Sequence, residues 1–245
     1  MKLIEAKDYE EMSAKAAEYL ANKIHTSKKI TLGLATGGTP EGTYRNLIED
    51  YMQNDTSYRH VTTFNLDEYV GLAGDHPNSY RYFMNKKLFD HIDIQKSNTY
   101  VPRGNARDIK QECLDYEKLL EDKSGIDLQL LGIGSNGHIG FNEPGTPFDS
   151  KTHVVELTPS TREANARYFS SLEQVPTKAI SMGIATIMKA REILLLVSGE
   201  KKSEALAQLL EGDITEKNPV SVLKKHLNVT IIADHAALAA KKVHC

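Results

Sequence analysis

Apolar runs of strand length alternate with segments of helical periodicity along most of the chain. The segment 9–24 places apolar residues at helical spacing, whereas 192–198 contains five consecutive aliphatic residues, the pattern of a strand buried on both faces. The segment 179–190 fits a helix or a strand, and 220–227 is a weaker helix candidate. The same criteria predict further strands at 2–6, 29–35, 61–66, 126–132, 153–157 and 229–233, and further helices at 40–54, 78–88, 109–120, 161–169 and 201–210.

This alternation predicts the class of fold. Strands that are apolar throughout and separated by helices form a mostly parallel sheet with helices on both faces. No internal repeat, low-complexity segment or linker interrupts the pattern, which favours a single domain over residues 1–245. Glycine and proline punctuate the segment 144–175, so a mobile lid is expected there if the protein has one.

Composition and charge narrow the class of partner. The 245 residues are 40% hydrophobic, enough for one sizeable core, and a net charge of −3 with scattered basic residues argues against nucleic-acid binding. No apolar run approaches the roughly 20 residues that a membrane span needs, and the charged first residues do not form a secretory signal. The two cysteines, Cys113 and Cys245, fit a reducing compartment and offer no metal-site spacing. We therefore expect a cytoplasmic protein that binds neither nucleic acid nor membrane nor metal.

Polar motifs follow four of the predicted strands. They lie at 36–39, 65–68, 134–143 and 199–202. Because open α/β sheets bind ligands outside the carboxyl ends of their strands, we expect the four motifs to meet at one crevice.

The first motif is a glycine-rich turn that enters a predicted helix. Gly37, Gly38 and Thr39 precede Pro40, which suits the first turn of a helix. Backbone N–H groups in such a turn approach anions closely, and the helix N-terminus favours negative charge. No Gly-Lys-Ser/Thr follows, so the turn is not a P-loop. An anion site and a tight turn without a ligand remain equal alternatives for this motif alone.

The third motif imitates a dinucleotide fingerprint. Gly132, Gly134 and Gly137 have the spacing G-x-G-x-x-G after a strand, and Glu156 lies about where a ribose-binding acid would. The fingerprint also needs a helix to begin at once, because the pyrophosphate binds at the N-terminus of that helix. Two prolines and two further glycines in the following stretch exclude such a helix, so a nicotinamide cofactor is not favoured.

The same loop holds candidates for acid–base chemistry. His138 and Glu143 are separated by four residues, and Asn136 adds an amide, so a proton shuttle is favoured over a histidine bonded to the backbone for structure. At the end of another strand, Asp67 and Glu68 fit a general base or a turn-capping acid equally well.

Four basic residues are candidates for holding a phosphate. Arg162 and Arg167 lie on a predicted helix, and Lys201 and Lys202 begin another. Arginine grips a phosphate with two hydrogen bonds, whereas lysine acts as a point charge. The alternative for any one of them is a solvated basic face.

Together these segments resemble the glucosamine/galactosamine-6-phosphate isomerase family. The pairing of FNLDEY at 64–69 with GHIGFNEP at 137–144 is the most specific feature, and it distinguishes this family from the 6-phosphogluconolactonases that share its fold and early glycine turn. The matching stretches occur in order at 34–40, 64–69, 78–80, 132–144, 165–169, 174–176 and 199–202.

The resemblance implies a fold and a reaction. The fold is a modified Rossmann-like, doubly wound α/β sandwich with a mostly parallel central sheet. The reaction converts D-glucosamine 6-phosphate and water to D-fructose 6-phosphate and ammonia in amino-sugar (N-acetylglucosamine) catabolism, with no metal and no organic cofactor. The small-molecule partner is therefore an amino-sugar phosphate.

The resemblance also implies roles for individual residues. His138 moves a proton between the anomeric hydroxyl and the ring oxygen, assisted by Asn136 and Glu143, and Asp67 removes the C2 proton. The implied phosphate ligands are Gly37, Gly38, Thr39, Arg167 and Lys202, the last favoured over Lys201 by its spacing from Gly199.

Two departures from the family pattern change the expectations. Many members have aspartate where this chain has Asn136, so Glu143 is expected to carry more of the charge that stabilises protonated His138. Members activated by N-acetylglucosamine 6-phosphate use basic residues where this chain has His153 and Val155, so that activation is expected to be absent.

Other functions fit part of the pattern. A lactonase or a plain isomerase would release no ammonia, and a sugar-phosphate-sensing module would need neither the carboxylate nor the histidine. The sequence does not decide the oligomeric state or the preference between glucosamine and galactosamine phosphates.

Overall fold

The computed structural model describes residues 1–166 and 169–240, which are organised around a central seven-stranded sheet. Its strands are β1 (Lys2–Ala6), β2 (Ile30–Leu34), β3 (Val61–Asn65), β5 (Thr99–Tyr100), β6 (Leu128–Gly132), β9 (Glu192–Val197) and β10 (Val229–Asp234). Their order in the sheet is β1-β10-β9-β6-β2-β3-β5, and every neighbouring pair is parallel.

A second, three-stranded sheet is antiparallel. Its order is β4-β8-β7, with β4 (Asp67–Tyr69), β8 (Lys178–Ser181) and β7 (His153–Glu156). Asp67 pairs with Ser181, so this sheet fixes the backbone immediately after β3.

In the part of the chain that the structure describes, seven α-helices connect these strands. They are α1 (Tyr9–Thr26), α2 (Gly38–Asn54), α3 (Tyr80–Met84), α4 (Ile109–Asp122), α5 (Pro159–Asn165), α6 (Ile184–Met188) and α7 (Ser203–Glu211). A π-helical turn, Asn85–Phe89, continues α3, and short 3-10 helices lie at Lys96–Asn98, Leu172–Gln174, Glu200–Lys202 and Pro219–Lys225.

The central sheet is buried on both faces because successive residues of its strands enter different cores. In β9, Leu195 packs in the core with α4 and α7, whereas Leu196 packs in the core with α1 and α2. Both are essentially inaccessible to solvent. A strand in this position must be apolar at every residue, so the predicted parallel sheet with helices on both faces is confirmed. Among the described residues, no helix combines the length and apolar character required to cross a membrane.

Several elements differ from the sequence prediction. The strands β4 and β5 were not predicted, since three and two residues are too few to show a period. The ambiguous segment 179–190 contains the end of β8 and then α6, and the candidate helix at 220–227 is a 3-10 helix. Helix α5 begins before the predicted 161–169, because Thr158 caps it and Pro159 occupies its first turn.

The chain reverses its direction of winding between β2 and β6. From β2 it adds β3 and β5 on one side, and it then returns to place β6, β9 and β10 on the other. The loops after β2 and β6 therefore diverge at their carboxyl ends and leave a crevice, the usual ligand site of an open α/β sheet.

Candidate active site

A cavity of about 360 Å³ lies at this crevice. The four polar motifs that follow predicted strands all contribute to its wall. Arg167 lies outside the described residues. The other eight residues of the predicted site line the cavity: Gly37, Gly38, Thr39, Asp67, Asn136, His138, Glu143 and Lys202.

The turn after β2 directs the N-terminus of α2 into the cavity. Gly37 has φ 94°, a backbone conformation that favours glycine, and it is the N-cap residue of this 17-residue helix. Within the described chain, no side chain caps the helix at this position. Its first N–H groups are therefore available to an anion, and the helix dipole adds to the attraction.

Lys202 provides a cation for the same cavity. Gly199, with φ 91°, turns the chain after β9, and its N–H donates to both carboxylate oxygens of Asp234 at 3.1 Å. Burial lowers the pKa of Lys202, whereas the side chain of Lys201 is exposed. An ammonium group in such a place binds an anion more strongly than a solvated one.

Two glycines of the loop after β6 leave space that neighbouring side chains occupy. A Cβ on Gly134 would lie 2.1 Å from Nδ1 of His138, so only glycine leaves room for the imidazole. A Cβ on Gly137 would lie 1.9 Å from Oδ1 of Asn218, and its φ of 83° also favours glycine. No helix begins in the described residues between β6 and β7. The structural context of a dinucleotide fingerprint is therefore missing.

Three side chains of this loop form a hydrogen-bonded relay. Nδ2 of Asn136 donates to Oε2 of Glu143 at 2.7 Å, and Oδ1 of Asn136 lies 2.7 Å from Nδ1 of His138. An ionised carboxylate only accepts, so the amide nitrogen of Asn136 must face Glu143 and its oxygen must face the imidazole. Nδ1 of His138 then carries the proton, and in the neutral ring Nε2 is the acceptor.

The electrostatic surroundings of His138 have opposing effects. Burial lowers the pKa of His138, Glu143 raises it, and Lys202 lowers it further, with a net lowering. Oε2 of Glu143 is 3.6 Å from Nδ1. The imidazole is therefore neutral at neutral pH, and the carboxylate of Glu143 is close enough to stabilise it once it is protonated.

Asp67 faces the cavity from β4. It is only 7% exposed, and a Cβ on Gly140 of the histidine loop would lie 3.9 Å from its Oδ2. Burial, and secondarily the charge of Glu68, raises the pKa of Asp67 to about 8. A carboxyl group with this pKa exchanges a proton near neutral pH, as general acid–base chemistry requires.

Glu68 has the other role that the sequence allowed for this pair. Its buried carboxylate accepts from the backbone N–H groups of Tyr69 and Tyr80 at 2.9 Å and of Arg81 at 3.0 Å. It therefore attaches the start of α3 to β4, which sets Tyr80 in the cavity wall. The two neighbouring acids are thus one cavity carboxylate and one capping carboxylate.

Two cavity residues on α5 were not predicted from the sequence, and one candidate phosphate ligand, Arg162, binds backbone carbonyl oxygens instead. Oγ1 of Thr161 donates to Oε1 of Glu143 at 2.8 Å, and Asn165 also lines the cavity. No sequence motif distinguishes a threonine that contacts a distant carboxylate. Arg162 instead donates to the carbonyl oxygens of Leu172 and Val175 at 2.8 and 3.0 Å.

The cavity brings an uncapped helix N-terminus and a lysine together with the His138–Asn136–Glu143 hydrogen bonds at the switch point of a parallel sheet. These features define the class as a Rossmann-like α/β protein with a candidate small-molecule site. Among the described residues, no group of three or more His, Cys, Asp or Glu side chains is arranged to hold a metal ion. Residues 7–232 match the family of glucosamine-6-phosphate isomerases/6-phosphogluconolactonase, and the chain belongs to this family.

Relatives extend the match to the whole chain. The chain is 60% identical to glucosamine-6-phosphate deaminase of Shouchella clausii (strain KSM-K16), with all of both chains covered. It is 52% identical to glucosamine-6-phosphate deaminase 1 of Bacillus subtilis (strain 168), over 98% of this chain and all of the relative.

Solved structures agree on the fold. A monomeric glucosamine-6-phosphate deaminase superposes with a TM-score of 0.96 at 52% identity, over 98% of this chain and all of the other. The 6-phosphogluconolactonase from Trypanosoma cruzi superposes with a TM-score of 0.78 at 21% identity, over 100% and 97% of the two chains, which shows a shared fold. The predicted modified Rossmann-like sandwich is thereby confirmed.

Proposed function

We propose that the protein is a glucosamine-6-phosphate deaminase that converts D-glucosamine 6-phosphate and water to D-fructose 6-phosphate and ammonia. The observation that carries the proposal is the meeting of Asp67 with the His138–Asn136–Glu143 relay in one cavity that also holds an anion site. The named activity of relatives at 52–60% identity supports it.

The phosphate binds where the N-terminus of α2 and Lys202 face the same space. The N–H groups of Gly38 and Thr39 donate to its oxygens, and Gly37 leaves room for their approach. Lys202 supplies the opposite charge. Arg167 is the second cation of the proposal, on the resemblance of its sequence segment alone. Anchoring the phosphate fixes the distance of the sugar carbons from both acid–base groups.

His138 opens the pyranose ring. Nε2 accepts the proton of the anomeric hydroxyl while the C1–O5 bond breaks, and the imidazolium returns that proton to the ring oxygen. Glu143 stabilises the intermediate imidazolium through its charge, and Asn136 keeps the imidazole in the tautomer that frees Nε2.

Asp67 then transfers a proton between neighbouring carbons. Its carboxylate removes the C2 proton of the open-chain aldehyde, which leaves an enolamine, and a proton added at C1 completes a C2 imine. Water attacks C2, and ammonia departs as the ketone forms. The substrate ammonium beside C2 favours the ionised form of Asp67 on binding, which offsets the raised pKa of this carboxyl in the free protein.

We also propose the setting in which the enzyme acts. The reaction belongs to amino-sugar catabolism in the cytoplasm, uses neither metal nor organic cofactor, and is not activated by N-acetylglucosamine 6-phosphate. A substrate-saturation curve that is sigmoid, and that this compound makes hyperbolic, would contradict the last point.

A substrate comparison tests the function. The purified protein is incubated with glucosamine 6-phosphate and, separately, with 6-phosphogluconolactone, and ammonia and lactone hydrolysis are measured. We expect ammonia release with fructose 6-phosphate in equal amounts and no acceleration of lactone hydrolysis. Lactone hydrolysis without ammonia release would instead identify a lactonase. The variant His138→Gln serves as the control, since it lacks the ring-opening base.

A further inference from the structure

Glu143 is held from two sides by two different parts of the chain. Its Oε2 accepts from Asn136 within its own loop, and its Oε1 accepts from the hydroxyl of Thr161 on α5, at 2.8 Å. Its backbone carbonyl accepts from the hydroxyl of Thr146 at 2.7 Å. Because the backbone is fixed, the hydrogen bonds to the two carboxylate oxygens set the position of the negative charge relative to His138.

The direction of the hydrogen bonds can be followed along α5. The hydroxyl of Thr158 accepts from the N–H of Thr161 at 3.2 Å, as a helix cap does, and donates its proton to Oγ1 of Thr161 at 2.9 Å. The proton of Thr161 is therefore committed to Oε1 of Glu143. From the other side, His138 donates to Asn136, which donates to Oε2. Both chains of donors end on the same carboxylate.

The helix that carries Thr161 also lines the cavity. Asn165 lies in the cavity wall, and its Nδ2 donates to the carbonyl oxygen of Thr161 at 3.0 Å. Helix α5 falls within the candidate lid segment 144–175. One short helix thus joins the wall of the substrate space to the carboxylate of the relay.

We propose that Thr161 is a positioning residue that couples the seating of α5 to the assembly of the proton relay. With α5 in place, the Thr161 hydroxyl holds Glu143 within reach of both Asn136 and His138. Without this hydroxyl, the glutamate side chain leaves its position, Asn136 loses the partner that orients its amide, and His138 loses its stabilising charge. The inference rests on the proposed function in assigning His138 the ring-opening step.

The neutral amide at position 136 makes this coupling important. Asn136 transmits orientation but contributes no charge, so within the described relay Glu143 is the carboxylate that stabilises the imidazolium. Its placement by Thr161 then bears directly on the proton affinity of His138.

Two substitutions separate the hydroxyl from the shape of the side chain. Thr161→Val keeps the β-branched volume and removes the donor, whereas Thr161→Ser keeps the donor and removes a methyl group. Thr177→Val is the matched control, because this threonine is exposed and outside the cavity wall. For Thr161→Val we expect kcat for ammonia release to fall on the order of tenfold, a part of the usual contribution of acid–base catalysis. We expect KM to stay within about twofold and Thr161→Ser to recover most of kcat.

A direct readout is the ionisation of His138 by NMR, with 15N-labelled histidine and His138→Gln to assign the signal. In Thr161→Val the pKa of His138 falls, because the carboxylate that raises it has moved, and in Thr161→Ser and Thr177→Val it does not. An unchanged kcat and an unchanged His138 titration in Thr161→Val would overturn the proposal, as would a serine variant that behaves like the valine variant. If the wild type releases no ammonia, the proposed function fails while the titration still tests the role of Thr161.

Discussion

The carboxyl group at the centre of the proposed chemistry should make the folded protein less stable. The structure buries Asp67 to 7% exposure, and the pKa of this group rises from its ordinary value of 3.8 to about 8. Burial is the larger cause of this raised pKa, and the neighbouring charge of Glu68 is the smaller one. We therefore expect Asp67→Asn, which keeps the shape and removes the ionisation, to stabilise the fold at neutral pH.

The magnitude follows from linkage between ionisation and folding. Each pH unit between the unfolded and folded pKa values corresponds to about 1.4 kcal/mol, because the unfolded chain ionises there and the folded chain does not. The protein therefore has its full stability below pH 3.8 as far as this group is concerned. It loses stability as the pH rises, and the loss is complete above about pH 8. At pH 7 the loss is about 4 kcal/mol, which for a chain of this length corresponds to a Tm change on the order of 10 °C.

Urea denaturation at pH 5, 7 and 9 measures the effect. The stability difference between Asp67→Asn and wild type should grow from pH 5 to pH 7 and approach its limit by pH 9. Asp75→Asn is the matched control, since it makes the same substitution at an exposed aspartate outside the cavity. A variant that is less stable than wild type at pH 7, or whose advantage does not vary with pH, would refute the assignment of a raised pKa to Asp67.

Three further predictions concern two charged residues of the cavity and the turn that places one of them. Glu143→Gln should lower kcat for ammonia release at least about tenfold, and adding Asn136→Asp should recover part of kcat by returning a carboxylate to the relay. Steady-state kinetics of the single and double variants measure this, and a wild-type kcat in Glu143→Gln would show that the charge is irrelevant. Lys202→Met should raise KM about tenfold or more, whereas Lys201→Met, which removes an exposed charge, should leave KM unchanged; equal effects in the two kinetic assays would contradict the phosphate assignment. Asp234→Ala releases the Gly199 turn and should raise KM in the same assay by less than Lys202→Met, and a KM equal to that of wild type would mean that the turn does not place the lysine.

The features of the fold that follow from a repeated pattern of apolar residues could be predicted from the sequence. The continuous apolar run of β9 required burial on both faces, and this requirement led to the parallel sheet and hence to the edge at which polar motifs meet. The prolines after Gly137 correctly excluded a helix there, and that exclusion removed the dinucleotide interpretation.

Contacts between distant residues left no such pattern. The strand β4 has three residues, and its partner β8, in which Ser181 lies opposite Asp67, is more than a hundred positions away in the sequence. Whether Asp67 or Glu68 faced the cavity was undecided, because neighbouring strand residues point to opposite sides and the local sequence does not say which side is the cavity. Thr161 was missed for the same reason, since its hydroxyl matters only because α5 lies beside Glu143.

In the proposed reaction, Asp67 moves the proton that converts an amino aldose into a ketose. Ammonia and fructose 6-phosphate are measured together during incubation of glucosamine 6-phosphate with wild type and with Asp67→Asn, whose folding is checked by its thermal unfolding. We expect equal amounts of both products from wild type and a rate at least about a hundredfold lower from the variant. Full ammonia release by a folded Asp67→Asn protein, or none by wild type, would contradict the account.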